Sequence, residues 1–410
     1  MRSPATADLL SLLEDAPPRV RTQTQFLKHC LLEDIPLEQF LSNKGLTYED
    51  LKYDRTRKPM ESKAKALTLD GFEKTGSGIP VVSFFSGAGG VDLGFEAAGF
   101  EHVGLVEHTR LFCDTLRANR PSWAVYGPPD HRGDVSDREG MSSLLRSLIG
   151  SKKRFEGVFV GGPPCQPFSI ASNQRFNKNG ANFKRVGFDH ATNGNLLFDY
   201  VHQILELRPR VFLVENVVGL AEVDGGRQLR NAIKTLEAAG YHVQPPLILN
   251  TENYGLAQKR RRLFIIGSRV SAPFHAPPKA DTWVPCGSVL GKSIRGVANH
   301  EPRNHKAASV IRYMKLFYGQ RDQLGRVDRL DPNLPAKTVI AGGVSGGGRS
   351  HLHPEVPRTL TVRECARLQS FPDEYVFTGP TARQFTQVGN AVPPVIAAQL
   401  AVSIRRSYFS

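Results

Sequence analysis

The spacing of apolar residues divides the chain into stretches of different texture. From Val81 to Ile266 short apolar runs alternate with amphipathic ones. Val81 to Phe85, His102 to Val106, Ala124 to Tyr126, Val158 to Val160, Val211 to Val214, Leu247 to Leu249 and Leu263 to Ile266 read as buried strands. Val91 to Ala98, Leu111 to Ala118, Asn195 to Leu205 and Arg227 to Ala239 read as helices. In the third of these, Leu197, Tyr200, Val201, Ile204 and Leu205 share one face, and Pro209 ends the pattern. This alternation predicts an α/β fold with a mostly parallel, doubly wound sheet.

The flanks differ. Leu9 to Leu13, Phe26 to Leu32 and Leu37 to Leu41 suggest three short helices, followed by a polar run from Lys52 to Lys65 and a Gly76-Ser-Gly78 linker. A helical extension packed on the main domain is expected, with a separate DNA-binding or dimerising module as the alternative. Ser172 to Gly194 is long, polar and basic, the texture of a binding loop. Beyond Ser268, glycines and prolines replace the alternation up to about His353, predicting an irregular second domain of strands and loops. Thr361 to Glu364 then has a capping-box pattern, and Val395 to Ile404 is a last helix. The expected divisions are 1–75, 76–270, 271–355 and 356–410.

Charge narrows the partners. With 53 Lys and Arg against 39 Asp and Glu, the net charge of +14 suits a polyanion, nucleic acid before an anionic membrane. The five cysteines lack the paired spacing of a disulfide framework or zinc site, and free thiols suit a cytoplasmic location. Cys30, Cys113, Cys286 and Cys365 read as structural thiols, and His351 and His353 as loop histidines without a third ligand. No stretch approaches the ~20 apolar residues of a membrane span, and the N-terminus lacks a secretory pattern.

Candidate chemistry gathers at the carboxyl ends of the strands, where doubly wound sheets bind ligands. Ser86-Gly-Ala-Gly-Gly90 follows one strand and opens a helix, as a nucleotide-binding turn does, and Glu107 ends the next strand. Gly161-Gly-Pro-Pro-Cys-Gln-Pro-Phe-Ser169 forms a stiff bend with Cys165 in its middle, and Glu215 closes a further strand.

Pro-Cys-Gln-Pro-Phe-Ser, Glu-Asn-Val and Gln-Lys-Arg-Arg-Arg, in this order, resemble the cytosine-C5 DNA methyltransferase family, from about Ile79 to the C-terminus. The resemblance implies a Rossmann-like catalytic domain using S-adenosylmethionine, with a smaller target-recognition domain between the Arg262 and Arg363 motifs. It places Cys165 as nucleophile, Glu215 as catalytic acid, and Arg262 and Arg260 in the same pocket. Phe85, Ser86, Gly87, Gly89, Gly90, Glu107, Asp134, Val135, Asn390 and Val392 fall at the cofactor, with Phe85 on the adenine, Glu107 on the ribose and Asp134 on the adenine amine. Ser169, Arg175, Lys184, Arg185, Gln258 and Thr338 fall at the DNA. Ser83 stands where many relatives carry Asp, the loop after Cys165 is longer than usual, and residues 1–75 have no counterpart in the family's core.

The implied reaction is covalent. A cysteine thiolate adds to C6 of a flipped cytosine and makes C5 nucleophilic, while a protonated Glu215 and Arg262 stabilise the ring. Double-stranded DNA is the expected substrate and a monomer the expected state. A cognate restriction endonuclease is expected as a functional rather than physical partner. The alternatives are a tRNA methyltransferase and a catalytically inactive DNA-binding homologue. Cys165→Ala is expected to abolish methyl transfer and leave cofactor binding largely intact, by isothermal titration; loss of both would make the loop structural.

Overall fold

The computed structural model describes residues 4–57, 64–72, 78–150, 154–164, 196–341 and 351–409. Three helices come first: α1 (Pro4–Glu14), α2 (Arg21–Leu32) and α3 (Leu37–Asn43). The alternating region follows as β1 (Ile79–Phe84), α4 (Gly90–Ala97), β2 (Phe100–Val106), α5 (Arg110–Asn119), β3 (Val125–Tyr126), α6 (Arg138–Ile149), β4 (Val158–Gly161) and α7 (Leu196–Leu207). It continues with β5 (Val211–Asn216), α8 (Arg227–Ala238), β6 (His242–Val243), β7 (Leu247–Asn250) and β8 (Arg261–Ser268). Then come α9 (Gly287–Leu290), α10 (Ala307–Met314), β9 (Arg321–Asp322), β10 (Val327–Arg329), β11 (His351–Leu352), α11 (Val362–Leu368), α12 (Thr381–Asn390) and α13 (Pro394–Tyr408).

The main sheet has the order β3-β2-β1-β4-β5-β8-β6, with β7 also paired to β8. From β3 to β5 the pairs are parallel, whereas β8 runs antiparallel to β5, with Glu215 opposite Phe264 and Asn216 opposite Leu263. This reversal brings the start of β8 to the carboxyl ends of the parallel strands. Both faces are covered, as the alternation requires. One core joins Phe84, Phe159 and Phe212 to Leu145, Tyr200 and Leu229 from α6, α7 and α8. The other joins Val81, Val160 and Leu213 to Phe95 of α4 and Val395, Leu400 and Ile404 of α13. Among the described residues one helical run, Thr381–Tyr408, is long and apolar enough to cross a membrane, and it is mostly buried in the protein.

The sheet matches the expected α/β class, and the strands and helices fall within a few residues of their predicted places. Outside the irregular region two helices were not anticipated, α6, whose face is interrupted by Ser and Gly, and α12. In the irregular region only three short strands, β11-β10-β9, are found among the described residues, and α9 and α10 are helices the glycine-rich texture concealed. The N-terminal helices do form, but they pack on α10 rather than on the sheet: Leu13, Leu27, Leu37 and Leu41 share a core with Val310, Ile311 and Met314. The polar run after Lys52 is likewise no free connector in its described part, because Asp54 N–H donates to Met314 O at 3.1 Å and Tyr53 is fully buried. Gly76, Ser77 and Gly342 to Arg349 lie outside the described residues.

At the N-terminus of α11, Thr361 and Glu364 form the expected capping box. Glu364 is buried and also accepts two hydrogen bonds from Arg358, at 2.8 and 2.7 Å. Burial alone would raise its pKa, but the Arg358 hydrogen bonds and the neighbouring positive charge hold it down at about 2, from an ordinary 4.5. Such a group contributes stability above pH 4.5 that is lost as pH falls towards 2. Glu364→Gln is expected to cost about 3 kcal/mol at pH 7, by denaturant unfolding, and to remove the acid-sensitive part of the stability in that window.

Candidate active site

The glycine turn begins in strain. Phe85, just past β1, has φ of 55°, a left-handed conformation that bulky residues avoid. Its ring is half-buried and meets Tyr200 edge-on, with centroids 6.2 Å apart. Gly87 and Gly89 also have positive φ, 57° and 75°, and Gly89 caps α4. A side chain on Gly90 would lie 2.2 Å from Val392 O, so the segment returning from α12 to α13 presses directly on the turn. Val392 is buried there, while Asn390 is exposed at the end of α12.

Hydrogen bonds hold the turn against the sheet. Ser86 N–H donates to Val106 O at 3.2 Å, and the Ser86 and Ser83 hydroxyls are 3.0 Å apart. Serine at position 83 therefore supports the turn through its own hydroxyl. Glu107, one residue past β2, accepts from Gly87 N–H at 2.8 Å and Thr109 N–H at 2.7 Å. Its burial raises the carboxyl pKa against those two donors. Asp134 accepts from the Ser136 hydroxyl at 2.6 Å and from Ser136 N–H, and these bonds lower its pKa. Val135 beside it is buried in the sheet's core.

Glu215 and Arg262 meet across the β5–β8 pair, with Arg262 Nε 2.9 Å from Glu215 Oε1. Burial raises the Glu215 pKa, and it outweighs the opposing charges of Arg262 and Arg260. The chain leaving β4 crosses close above. A side chain on Gly162 would come within 3.0 Å of Glu215 Oε2, and Asn216 Nδ2 donates to Pro163 O at 3.2 Å. Cys165, Ser169, Arg175, Lys184 and Arg185 lie outside the described residues, which stop at Pro164 just before the cysteine.

Arg260 is not a solvated charge. It is fully buried, donating to Val339 O at 3.1 Å, Gly389 O at 2.7 Å and Ala391 O at 3.1 Å. It thus clamps the start of β8 to the segment that reaches the glycine turn. Gln258, expected at the DNA, is placed instead in the interior. Its amide donates to Leu368 O and Gln369 Oε1 and accepts from Val339 N–H, which leaves its side chain no exposed surface. Thr338 is partly exposed and donates to Lys259 O at 2.7 Å. Cys30, Cys113, Cys286 and Cys365 are buried free thiols, as expected. His351 and His353 are both buried; His351 lies in β11, bonded to Thr338 O, and His353 is a loop residue just past it, as expected. Sequence reasoning gave no site role to Asn216, Gly162 or Tyr200, although Gly162 and Asn216 lie within the Gly161-Gly-Pro-Pro-Cys and Glu-Asn-Val stretches.

A parallel sheet with a glycine turn after its first strand, an acid after its second and a reversed β8 is the fold of S-adenosylmethionine-dependent methyltransferases. The same fold is found in a prophage-encoded DNA modification methyltransferase of Escherichia coli (TM-score 0.64, 23% identity, 81% of this chain and 100% of that one). It also appears in the Entamoeba histolytica methyltransferase EhMeth (TM-score 0.56, 14% identity, 80% and 98%). The profile of the C-5 cytosine-specific DNA methylases matches residues 79–314 and 288–406. Type II methyltransferase M.PspPI of Psychrobacter is 34% identical over 354 residues, covering 80% of this chain and 79% of the relative. M.Eco47II of Escherichia coli is 33% identical over 341 residues, covering 76% and 75%. The chain belongs to the C-5 cytosine-specific DNA methylase family and is an enzyme of the DNA (cytosine-5-)-methyltransferase class.

Gly90→Ala is expected to force the Val392 backbone away. Purified protein should lose about 1–3 kcal/mol of stability and bind S-adenosylmethionine more weakly by calorimetry.

Proposed function

We propose that the enzyme methylates C5 of a cytosine within a specific duplex DNA site, as the modification half of a type II restriction–modification system. It acts as a monomer, with a cognate endonuclease as a functional partner only. Residues 76–270 and 356–410 form the catalytic part and 271–355 the DNA-reading part. The observation that carries the chemistry is the Glu215 carboxyl, its pKa raised by burial, beside Arg262 where the chain enters the Cys165 loop.

The residues around the glycine turn fit S-adenosylmethionine. Glu107 offers a carboxylate at the strand end where such folds take ribose hydroxyls, Asp134 an ionised acceptor for an amine, and Phe85 a half-buried ring for the adenine. Ser86, Gly87, Gly89 and Gly90 supply the close backbone approach, Val135 an apolar wall, and Asn390 and Val392 the closing edge. Bound there, the cofactor supplies an electrophilic methyl group.

Cys165 adds as a thiolate to C6 of a cytosine turned out of the duplex, and electron density shifts towards C5 and N3. Glu215 gives its proton to N3 and accepts from the exocyclic amine through its second oxygen. Arg262 stabilises charge on the carbonyl oxygen, and Arg260 positions the strand that carries it. Once C5 is methylated, its proton passes to a base, the C6–sulfur bond breaks, and the N3 proton returns to Glu215. Ser169, Arg175, Lys184 and Arg185 contact DNA from the loop after Cys165, with Thr338 at the edge of the reading part. Surplus lysines and arginines elsewhere neutralise phosphates. Gln258 supports this surface from within.

Tritiated methyl transfer to duplex DNA, and not to tRNA, is expected; transfer to tRNA alone would overturn the reading. Glu215→Gln should lower kcat by about 10² to 10⁴. Because the acid must be protonated, wild-type kcat is expected to fall as pH rises through its raised pKa, and this alkaline limb should vanish in the variant.

A further inference from the structure

Residues 48–57 of the N-terminal extension are bound into the irregular region at nearly every turn. The Tyr48 hydroxyl accepts from His305 N–H at 2.9 Å, and the Tyr53 hydroxyl donates to His353 O at 2.9 Å. Lys315 pairs with Asp54 at 2.6 Å, and Arg57 with Asp331. At the centre lies Arg329, fully buried between two rings, 3.5 Å from the centroid of Tyr53 and 4.0 Å from that of Tyr318. Its guanidinium donates to Arg55 O at 2.8 Å, Leu316 O at 2.7 Å and Pro354 O at 2.7 Å.

The connection runs on to the catalytic edge. Glu49 accepts from Arg358 at 2.7 Å, and Arg358 also binds Glu364 of α11. Just past α11, Gln369 accepts from Gln258 at 2.8 Å, and Gln258 in turn accepts from Val339 N–H.

Charge argues against the extension touching DNA itself. Residues 1–75 carry 12 Lys and Arg against 12 Asp and Glu, while the other 335 carry 41 against 27, so the whole basic surplus lies elsewhere. A dimer face is not evident either: among its described residues only Leu12, Leu32 and Leu67 are exposed large apolar side chains, at 38%, 37% and 44%, and they stand singly along the chain.

We propose that the N-terminal extension is a positioning element of the DNA-reading region, acting through the contact between Tyr53 and Arg329. It sets the attitude of residues 305–358 against α11 and the active-site edge, and so governs productive DNA engagement rather than the chemical step. This role rests on the reading of the enzyme as a duplex DNA methyltransferase.

The test uses the full chain, tritiated S-adenosylmethionine and unmethylated genomic DNA. Tyr53→Leu keeps an apolar side chain but removes the ring and hydroxyl. It is expected to raise the KM for DNA about tenfold, while kcat and the cofactor Kd stay within about twofold. Tyr53→Phe, which keeps the ring over Arg329, should restore most of the difference. If Tyr53→Leu does not fold, Arg19→Gln serves instead. Arg19 donates to the backbone oxygens of Tyr53 and Asp54 from the surface, and its loss should raise the DNA KM severalfold. An unchanged DNA KM in the folded variant, or an equal loss of cofactor binding, overturns the positioning role. So does a comparable rise in the double variant Arg21→Glu, Lys28→Glu, which would mean that the extension contacts DNA directly. Wild-type enzyme that methylates no duplex would instead defeat the functional reading itself.

Discussion

A carboxyl group kept from water beside a guanidinium is the contact on which this site depends. Two opposed effects act on Glu215: burial disfavours its charge, while Arg262 and Arg260 favour it, and burial prevails. The contact exists only because β8 runs against β5 in one register, with Glu215 opposite Phe264. A slip of one residue would turn Arg262 to the other face of the sheet. The next residue along β5, Asn216, ties down Pro163, so one strand end both presents the acid and anchors the chain that leads to Cys165.

Arginine does a second job in this protein. Arg260, Arg329, Arg358 and Arg363 are among its largest fully buried side chains. Arg260, Arg329 and Arg363 are directed at main-chain oxygens, Arg363 donating to Tyr375 O at 2.6 Å and Pro372 O at 2.9 Å, whereas Arg358 gathers the Glu49 and Glu364 carboxylates. The irregular region has little sheet or helix to satisfy its carbonyls, and a planar group with five donors can gather several at once. A high arginine content thus serves two ends here, the chain's net positive charge and an interior framework.

The sheet was legible because strands buried on both faces read as continuous apolar runs and the intervening helices as one-sided ones. The cofactor turn and Glu215 followed from their places at strand ends. What escaped was set by distant partners. Gln258 sits in a basic run and reads as a surface residue, yet the carbonyls of Leu368 and the amide of Gln369 converge on it from far along the chain. The docking of α1 to α3 on α10 was hidden for the same reason, since an amphipathic helix announces that it has a partner but not which one. Helix α10 itself lay in a stretch whose glycines and prolines drew attention to loops.

The closure of the glycine turn by the C-terminal segment has a consequence for biosynthesis. Gly90 and Gly94 are packed against residues 391–398, and the bond from Arg405 to Ala98 O spans 307 positions. A ribosome therefore releases the turn long before it makes the segment that completes it. Until then α4 has only part of its packing and one face of the sheet is only partly covered, so the nascent chain depends on its other contacts to stay out of aggregation. The cofactor turn is thus completed only by residues made late in translation.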